Sequence, residues 1–558
     1  MRTSSRSSLL AIVAVALGSL RPQMTLGEQS STAGITQPSG KFRIAGTVLS
    51  AADGHPLDRA RVTITDVKNT KNAQSMITSE DGRFEFKQVG AGKYSLQAAK
   101  RGFITAAYDE HEQFSTAIVT GADLDTERLM LHLAPTATLS GKVFDEFGDP
   151  VRHAIVTLYR EDHQSGVSRI QRFRNAPTDD QGSYGVAPLN AGTYFLAVTA
   201  TPWYAVNPVS AGREDGRDFP GAVDRSLDVA YPVTYYADST DPDAATPIPI
   251  KGGDHVQVDF HLAPVPALHL LFHRTDSVGQ GLTIPSLERL GIDGTEFGGT
   301  TGGQMVSPGV YEVTGLAPGS YRVRMPGSIP GQPTRIKDVD ISNGDQELDS
   351  SSGEPTGNVK ATIQITRESR LPAQLFLVLR DSGEKFASWQ AVDAKGEAEF
   401  QDVVPGKYVL LAQAKGKAFY VGRTSSQGNE SSGRTLNVVP GVSLAVSITL
   451  VGSVGSVEGF AKREGKAISG AMVVLVPKDP DANRELFRRD QSDLDGSFSL
   501  RDVIPGSYTI VAIENGWNLD WSRPSVIAVY GQHGQAVTVG DQPGRPIQLP
   551  YAVEVQVP

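Results

Sequence analysis

The chain has 558 residues, a formal net charge of −10 and no cysteine. An acidic chain without an evident basic patch is a poor candidate for binding nucleic acid or anionic lipid. Without cysteine there is no disulfide, thiolate metal site or cysteine nucleophile, so each folded unit must be held together by an ordinary apolar core.

The first 27 residues have the pattern of a secretory signal peptide. Arg2 and Arg6 form a basic start, residues 9–17 are continuously apolar, and residues 25–27 place small side chains before a cleavage point. The apolar stretch is about half the length of a membrane span. We therefore expect cleavage after Gly27, a secreted or periplasmic protein, and no membrane span after cleavage. Residues 28–42 are rich in Ser, Thr, Gly and Gln and predict a flexible leader.

One three-point spacing recurs five times along the rest of the chain. A glycine is followed ten residues later by a second glycine, and two residues after that by a tyrosine. The five sets are Gly82/Gly92/Tyr94, Gly182/Gly192/Tyr194, Gly309/Gly319/Tyr321, Gly396/Gly406/Tyr408 and Gly496/Gly506/Tyr508. Chance does not repeat such a spacing so often, so the sequence predicts a tandem array of one folding unit.

Each glycine set predicts a β-hairpin. The pairs Asp81-Gly82 and Asp495-Gly496 favour tight turns, because glycine accepts the positive φ that such turns require. Proline before the second glycine, as in Pro505-Gly506, suggests a type II turn, in which this glycine would also have a positive φ. The following tyrosine opens a strand with an inward face and is expected to be buried in a tyrosine corner.

Alternating residues upstream of the hairpins predict further half-buried strands, and no long stretch has the 3.6-residue period of an amphipathic helix. The clearest inward-facing sets are Ala60/Val62/Ile64, Ala154/Val156/Leu158 and Ala471/Val473/Leu475. The predicted fold class is all-β, a tandem array of about five β-sandwich domains of prealbumin-like or immunoglobulin-like type.

The predicted organisation follows from these repeats. A signal peptide (1–27) and a leader (28–42) precede β-sandwiches at 43–135, 136–264 (with a long insertion), 265–350 (degenerate), 351–452 and 453–558. Linkers of only a few residues predict a fairly stiff rod. The Ser- and Gly-containing segment at residues 349–357 is the expected flexible joint.

The Gly-x-Val opening, the Ala-x-Val-x-Leu strand, the Asp-Gly-x-Phe turn and the Pro-Gly-x-Tyr turn together resemble the carboxypeptidase regulatory-like domain. That module is a transthyretin-like β-sandwich, grouped with carbohydrate-binding-like and collagen-adhesin modules. The first, second and fifth units have nearly all of the pattern, and the third and fourth have mainly its second half. In metallocarboxypeptidases the related domain lies beside the zinc peptidase and is not the catalyst, so the resemblance implies no peptidase activity here.

Catalytic and metal-binding motifs are weakly represented. The sequence has no His-Glu-x-x-His and no Gly-x-Ser-x-Gly, and we expect no cofactor, no metal and no catalytic residue. Two alternatives stay open. The densest histidine group could share a strand face, and the Asp-Gly turns at Asp179-Asp180 and Asp493-Asp495 resemble the start of a calcium loop. The histidine group comprises His255, Asp259, His261, His269 and His273.

Two aromatic clusters follow tyrosine-initiated strands, where loops can carry binding residues. Exposed aromatic faces with polar neighbours suit carbohydrate recognition, whereas buried ones would only cap their own sandwich. The candidate ligand-binding residues are Trp203, Tyr204, Tyr235 and Tyr236, with Tyr231 beside them, and Trp517 and Trp521, with Asn518 and Asp520 beside them.

The sequence thus predicts a secreted, non-catalytic, multidomain binding or scaffold protein of a bacterial envelope or exterior. The alternative is a carbohydrate-binding protein that uses the aromatic loop clusters, and the third is a hydrolase with a site between domains. Expected partners are a polysaccharide or an envelope protein, and nucleic acid is not expected.

Overall fold

The computed structural model describes residues 40–558, which form one compact unit. The predicted signal peptide and nearly all of the leader lie outside the described residues. Further residues outside the description are 122–123, 208–223, 274–284, 294–295, 300–302, 308, 328–331, 343, 367–369, 382–385, 416, 427–428, 432 and 542–545. None of the helices in the described part of the chain is long and apolar enough to cross a membrane.

Module one lies within residues 42–133. Its strands are β1 (Phe42–Ser50), β2 (Arg61–Asp66), β3 (Ala73–Ile77), β4 (Arg83–Val89), β5 (Gly92–Ala99), β6 (Ala106–Ala107), β7 (Ile118–Thr120) and β8 (Leu129–Leu133). One sheet has the order β4-β1-β8, and the other has the order β3-β2-β5-β6 with β7 also paired to β5. The predicted inward set Val62 and Ile64 is buried between these sheets.

Module two lies within residues 137–262 and includes the 3₁₀ turns Arg225–Leu227 and Pro242–Ala244. The strands are β9 (Ala137–Phe144), β10 (Ile155–Asp162), β11 (Arg169–Pro177), β12 (Ser183–Leu189), β13 (Gly192–Thr199), β14 (Val229–Ala230), β15 (Thr234–Tyr235), β16 (Ile248–Ile250), β17 (His255–Gln257) and β18 (Phe260–His261). Its two sheets have the orders β12-β9-β17 and β11-β10-β13-β15, with β18 paired to β9 and β16 paired to β13.

Module three lies within residues 268–349. It follows the linking strand β19 (Val265–Pro266). Its strands are β20 (Leu268–His273), β21 (Ser286–Leu290), β22 (Glu296–Gly299), β23 (Gly303–Ser307), β24 (Val310–Leu316), β25 (Gly319–Met325), β26 (Arg335–Ile341) and β27 (Gln346–Asp349). The sheets are β23-β24-β20-β27 and β22-β21-β25-β26, the second extended by β28 (Glu354–Pro355), while β19 pairs with β14 of module two. Module three matches the sequence repeat least well, yet it has two facing sheets around a core that contains Tyr311 and Tyr321.

Module four lies within residues 357–452, after β28 (Glu354–Pro355). Its strands are β29 (Gly357–Ile365), β30 (Leu375–Asp381), β31 (Phe386–Ala391), β32 (Glu397–Val403), β33 (Gly406–Ala414), β34 (Phe419–Ser426), β35 (Asn429–Ser431), β36 (Thr435–Val438) and β37 (Ser443–Gly452). The sheets are β32-β29-β37-β34-β35 and β31-β30-β33-β36.

Module five lies within residues 455–556. Its strands are β38 (Gly455–Arg463), β39 (Lys466–Ala467), β40 (Met472–Pro477), β41 (Arg488–Gln491), β42 (Ser497–Val503), β43 (Gly506–Ile513), β44 (Gln535–Val539), β45 (Ile547–Gln548) and β46 (Val553–Gln556). Short 3₁₀ turns occur at Arg484–Leu486 and Gly516–Asn518, and helix α1 spans Pro524–Gly531. Strand β46 pairs in parallel with both β38 and β43, so it joins the two layers at one side.

All five modules share one topology. The opening strand pairs antiparallel with the strand after the Asp-Gly turn or its counterpart, and parallel with a closing strand. The second strand lies between an edge strand and the tyrosine strand in the other sheet. This repeated two-sheet arrangement confirms the predicted all-β fold class of tandem β-sandwiches.

The five tyrosines of the repeat make the same hydrogen bond. Each hydroxyl donates to the carbonyl oxygen four residues earlier, at distances from 2.5 to 3.2 Å. The pairs are Tyr94–Gly90, Tyr194–Asn190, Tyr321–Ala317, Tyr408–Val404 and Tyr508–Ile504. All five rings belong to the cores of their modules. The expected tyrosine corner is therefore present in every module.

The two glycines of the repeat have different roles. The first glycine has φ between 69° and 84° in all five sets, as expected for the Asp-Gly turns. The type II turn expected at the second glycine is not observed, because φ there is 154–157° in three modules, far from the roughly +80° that such a turn requires. Neither Gly92 nor Gly506 has a φ in the left-handed region. A Cβ at Gly506 would lie 3.2 Å from Cε2 of Tyr508, so this position makes room for the tyrosine ring.

The stiff rod predicted from the short linkers is also wrong. Module five contacts not only module four, which precedes it, but also modules one and two. Lys93 of module one donates to Asp493, and the carbonyl of Gly166 in module two accepts from the amide of Ser522. The expected flexible joint at residues 349–357 is packed as well. Thr356 is buried and its hydroxyl donates to the carbonyl of Thr334 at 2.9 Å. Contacts made by loops, which linker length does not reveal, fold the array back on itself.

We predict that Tyr508→Phe destabilises module five by about 1–2 kcal/mol, because the ring stays packed while the buried carbonyl of Ile504 loses its donor. Urea unfolding followed by tryptophan fluorescence measures this change, since Trp517 and Trp521 are buried in the same module. Tyr551→Phe is the matched control, because that side chain is 77% exposed. Equal unfolding midpoints for the two variants would contradict a stabilising corner.

Candidate functional site

The aromatic cluster of module five is buried, contrary to the exposed faces on which its predicted ligand-binding role rested. Trp517 and Trp521 are each only 7% exposed. They belong to an apolar cluster on the outer face of β40 and β43, together with Ile527 and Tyr530 of α1. The indole nitrogen of Trp517 donates to the carbonyl of Gly470 at 3.1 Å. These two rings therefore serve packing, with little surface left for a ligand.

A loop of module one covers the cluster. The ring of His111 stacks on Trp517 with centroids 5.0 Å apart and an interplanar angle of 6°, and Phe114 lies 5.7 Å from the same ring. The loop at residues 109–116 follows the tyrosine strand of module one, just as the tryptophan segment follows that of module five. Two equivalent loops of distant modules thus pack against each other.

Arg489 of β41 is the charged centre of this contact. Its guanidinium carbon lies 4.2 Å from the centroid of Trp521, and its nitrogens bond to both oxygens of Glu112 at 2.6 and 3.2 Å. The side chains of Arg489 and Glu112 are 4% and 15% exposed. A cation stacked on an aromatic face and held by a two-point carboxylate is well satisfied even when buried.

Polar contacts surround this centre. Lys93 donates to Asp493 and to Ser497, both at 2.6 Å, and the amide of Ala117 donates to Asp493 at 3.0 Å. Burial raises the pKa of the Asp493 carboxyl, while Lys93 opposes that shift. The Asp493 carboxylate that resembled a calcium ligand is thus bound by groups of module one. Asp495 accepts from the amide of Ser497 at 3.0 Å.

Module two completes the contact through a turn. The amide of Ser522 donates to the carbonyl of Gly166 at 3.1 Å, and the amide of Ser168 donates to Asp520 at 3.2 Å. Gly166 has φ of 77°, and a Cβ there would lie 2.6 Å from Cε2 of Trp521. Only glycine fits this turn against the indole. We call the contacts of module five with modules one and two the closing interface.

The predicted aromatic cluster of module two falls into two separate groups in the structure. Trp203 is 84% exposed and meets Tyr204 edge to face, with centroids 5.8 Å apart and an interplanar angle of 85°. Tyr204 and Tyr231 both donate to the carboxylate of Glu146, the latter at 2.8 Å. Burial alone would raise the pKa of Glu146, but the two hydroxyl donors hold it below its usual range. We call Trp203, Tyr204, Tyr231 and Glu146 the tryptophan patch.

Tyr235 and Tyr236 lie away from the tryptophan patch. Tyr235 is 2% exposed and packs with Tyr159 and Val233 in a small buried cluster. Tyr236 is half-buried and meets Phe260 edge to face, with centroids 6.5 Å apart. Their predicted exposure is not observed, because both side chains turn toward the protein from the strand and turn that follow residue 233. Among the predicted ligand-binding residues, Trp203 is the one whose side chain is largely exposed in the described part of the chain.

The histidine group predicted from even spacing does not converge. His255 bonds to Thr138, and His261 stacks on Phe144. In the described residues no group of three or more His, Asp and Glu side chains is arranged to hold a metal ion. The two remaining histidines point to other carboxylates: His269 lies 2.6 Å from Glu312 and 2.9 Å from Asp228, and His273 lies 3.6 Å from Glu347.

His269 joins modules two and three. Burial opposes its charged form, but Glu312 and Asp228 outweigh that effect and raise the pKa of the imidazole. The imidazole, hydrogen-bonded to both carboxylates, holds β20 of module three against the segment that precedes β14 of module two. Even spacing along the sequence could not reveal this contact, because Asp228 lies in the irregular insertion of module two.

Comparison with known proteins agrees with the fold. Residues 28–125 match the family model of the carboxypeptidase regulatory-like domain, which confirms the resemblance for module one. The match covers less than a fifth of the chain. No curated protein matches the sequence.

Solved structures overlap the chain weakly. The TIE protein of Bacillus anthracis shares 13% identity, covers 73% of this chain and 74% of its own, and has a TM-score of 0.17. The minor pilin GBS52 of Streptococcus agalactiae shares 15% identity, covers 43% of this chain and all of its own, and has a TM-score of 0.20. Overlaps with TM-scores this low carry no argument about module arrangement or function.

We predict that Glu112→Gln loosens the closing interface, because it leaves the buried Arg489 cation without a charged partner, at a cost of about 3–5 kcal/mol. Hydrogen exchange at Leu494 is the readout, since its amide donates to the carbonyl of Ala117 across the interface at 3.1 Å. Faster exchange there and a larger radius of gyration are expected.

Two controls make this experiment specific. Glu80→Gln removes the same charge from an exposed site of module one and should leave both readouts unchanged. The double variant Glu112→Leu with Arg489→Met removes both charges and should stay more closed than Glu112→Gln, because an apolar pair needs no counter-charge. If Glu112→Gln exchanges like the wild type, the ion pair does not hold the interface.

Proposed function

We propose that the protein is a secreted, non-catalytic scaffold of the bacterial envelope or exterior, whose five sandwiches are locked into one body that presents loops to a partner. The observation that carries this proposal is the closing interface. Its central ion pair, between Arg489 of module five and Glu112 of module one, is buried, and Arg489 stacks on an aromatic ring. The same guanidinium also donates to the carbonyl of Gln164 in module two. A flexible tether would have no use for a buried, geometrically demanding contact between its two ends.

Several further observations support a scaffold. The polar groups singled out as chemical candidates are occupied by structural partners: Asp493 by Lys93, and His269 by two carboxylates. The domain type matched by the first module accompanies catalytic domains in the metallocarboxypeptidases that it resembles, without being the catalyst. The sequence of residues 1–27 fits export of the chain.

A panel of peptide, ester and glycoside substrates tests the non-catalytic part of the proposal. We expect no turnover by the purified full-length protein. Turnover that is abolished by replacement of a single residue, including any residue between modules, would contradict it. Full loss on a point substitution separates a true active site from a contaminating enzyme.

The exposure of Trp203 favours a second function, binding of a carbohydrate at the tryptophan patch. An indole that is 84% exposed lies beside Tyr204 and the Glu146 carboxylate, so an apolar face and hydrogen-bonding groups are neighbours. Sugars offer matching surfaces, because their C–H faces pack on aromatic rings while their hydroxyls bind carboxylates. The tyrosine donors on Glu146 fix the orientation of the carboxylate.

A glycan array with the full-length protein tests the tryptophan patch. We expect Trp203→Ala to weaken glycan binding about tenfold or more, as for other exposed aromatic anchors. Trp389→Ala is the matched control, because Trp389 is 53% exposed but lies in module four. Absence of any glycan signal, or equal loss with both variants, would refute sugar binding at this patch.

A further inference from the structure

The edge strand of module two carries an unusual charged surface. Five consecutive residues of β11, 171–175, are exposed, and among the described strands β11 pairs with β10 alone. Phe173 lies in this stretch, 38% exposed, with its ring edge to face against the core residue Tyr194 at 6.2 Å. Because the partly exposed Phe173 ring packs against a core residue, its position on the surface is fixed.

Two arginines converge on this ring. The guanidinium carbon of Arg160 lies 5.1 Å from the centroid of Phe173, and that of Arg174 lies 5.3 Å from it. Arg174 also donates to the carbonyl of Ala187 at 3.1 Å. Both distances are within the range of cation–π contacts. Stacking on a fixed ring orders the two guanidinium planes before any ligand arrives, which lowers the entropic cost of binding.

Across the described residues, neither Arg160 nor Arg174 forms an ion pair with a carboxylate. Burial raises the pKa of the Tyr194 hydroxyl, and the neighbouring charge of Arg160 opposes that shift. Two ordered cations on an otherwise acidic chain leave a local positive site that a carboxylate would complete.

The chain itself shows how such a site is filled. In module five the corresponding edge strand β41 carries Arg489, which stacks on aromatic rings and donates hydrogen bonds to both carboxylate oxygens of Glu112. That carboxylate comes from a loop in which Phe114, two residues later, packs on Trp517 of module five. The occupant of the edge strand is thus an acidic and aromatic loop of another sandwich, and in module five the same chain supplies it.

We infer that the surface of Arg160, Phe173 and Arg174 docks an acidic loop of a partner protein, in the way that β41 docks the 109–116 loop. Arginine and aromatic residues are the types most enriched at interface hot spots. Charged side chains along β11 protect the edge against pairing with another strand, so recognition goes through side chains. This inference names the partner class of the proposed scaffold and is independent of the tryptophan patch.

Fluorescence anisotropy with a labelled synthetic peptide of residues 108–116 tests the inference on the full-length protein. The wild type is expected to bind it, and less tightly at high salt, because the site is exposed. The double variant Arg160→Gln with Arg174→Gln should bind about tenfold or more weakly, since two charge-assisted contacts are lost. Arg174→Lys should be intermediate, because lysine keeps the charge but not the two-pronged geometry.

Controls separate the possible outcomes. Arg61→Gln removes the same charge from an exposed position of module one and should bind like the wild type. A peptide with its Asp and Glu residues replaced by Asn and Gln should not bind. Peptide binding that is absent, or that survives the double variant, overturns the inference. Equal, arginine-dependent binding of polygalacturonate would overturn it in favour of an acidic glycan. None of these outcomes alters hydrogen exchange at Leu494, which tests the closing interface. The docking inference can therefore fail while the proposed scaffold function stands.

Discussion

The hydroxyl of one tyrosine, donated back to the carbonyl four residues earlier, is the contact that every module repeats. It ties the end of one sheet to the start of the tyrosine strand in the other, so the two layers keep a fixed offset. In four modules the second glycine lies against the ring: a Cβ there would be in ordinary contact with the tyrosine, 3.7 Å from its Cε2, in three of them, and would be tight, at 3.2 Å, only at Gly506. With the corner fixed, the loop that follows can change without loss of the sandwich.

Because this loop can vary, the loops that follow the tyrosine strands have different roles in different modules. In module one the loop supplies Glu112 and Phe114, and in module five it supplies Trp517 and Trp521. These two loops bury each other. In module two the same region carries Trp203, which stays exposed while Tyr204 and Tyr231 anchor it to Glu146. One scaffold therefore uses a single loop position for self-closure in two modules and for display in another.

Local patterns predicted the elements well and the surfaces poorly. The Asp-Gly turns and the buried tyrosines were predictable because their causes lie within a few residues. Exposure of Trp517 was not, since the residues that cover it are about four hundred positions away in module one. The roles of Gly166 and Arg489 in the closing interface could not be predicted from the sequence. A glycine in a turn and an arginine on an edge strand are both common, and only the facing module shows what they contact.

The sequence by itself determined the number and kind of modules, because glycine φ preferences, strand alternation and the tyrosine corner all act over short stretches of chain. Only the tertiary structure decided that the array turns back on itself and which aromatic cluster remains open. Those outcomes depend on packing and charge pairing between residues of different modules, as in Arg489 with Glu112 and Lys93 with Asp493. Such pairs have no periodicity along the chain, and so they become visible only when the modules are in contact.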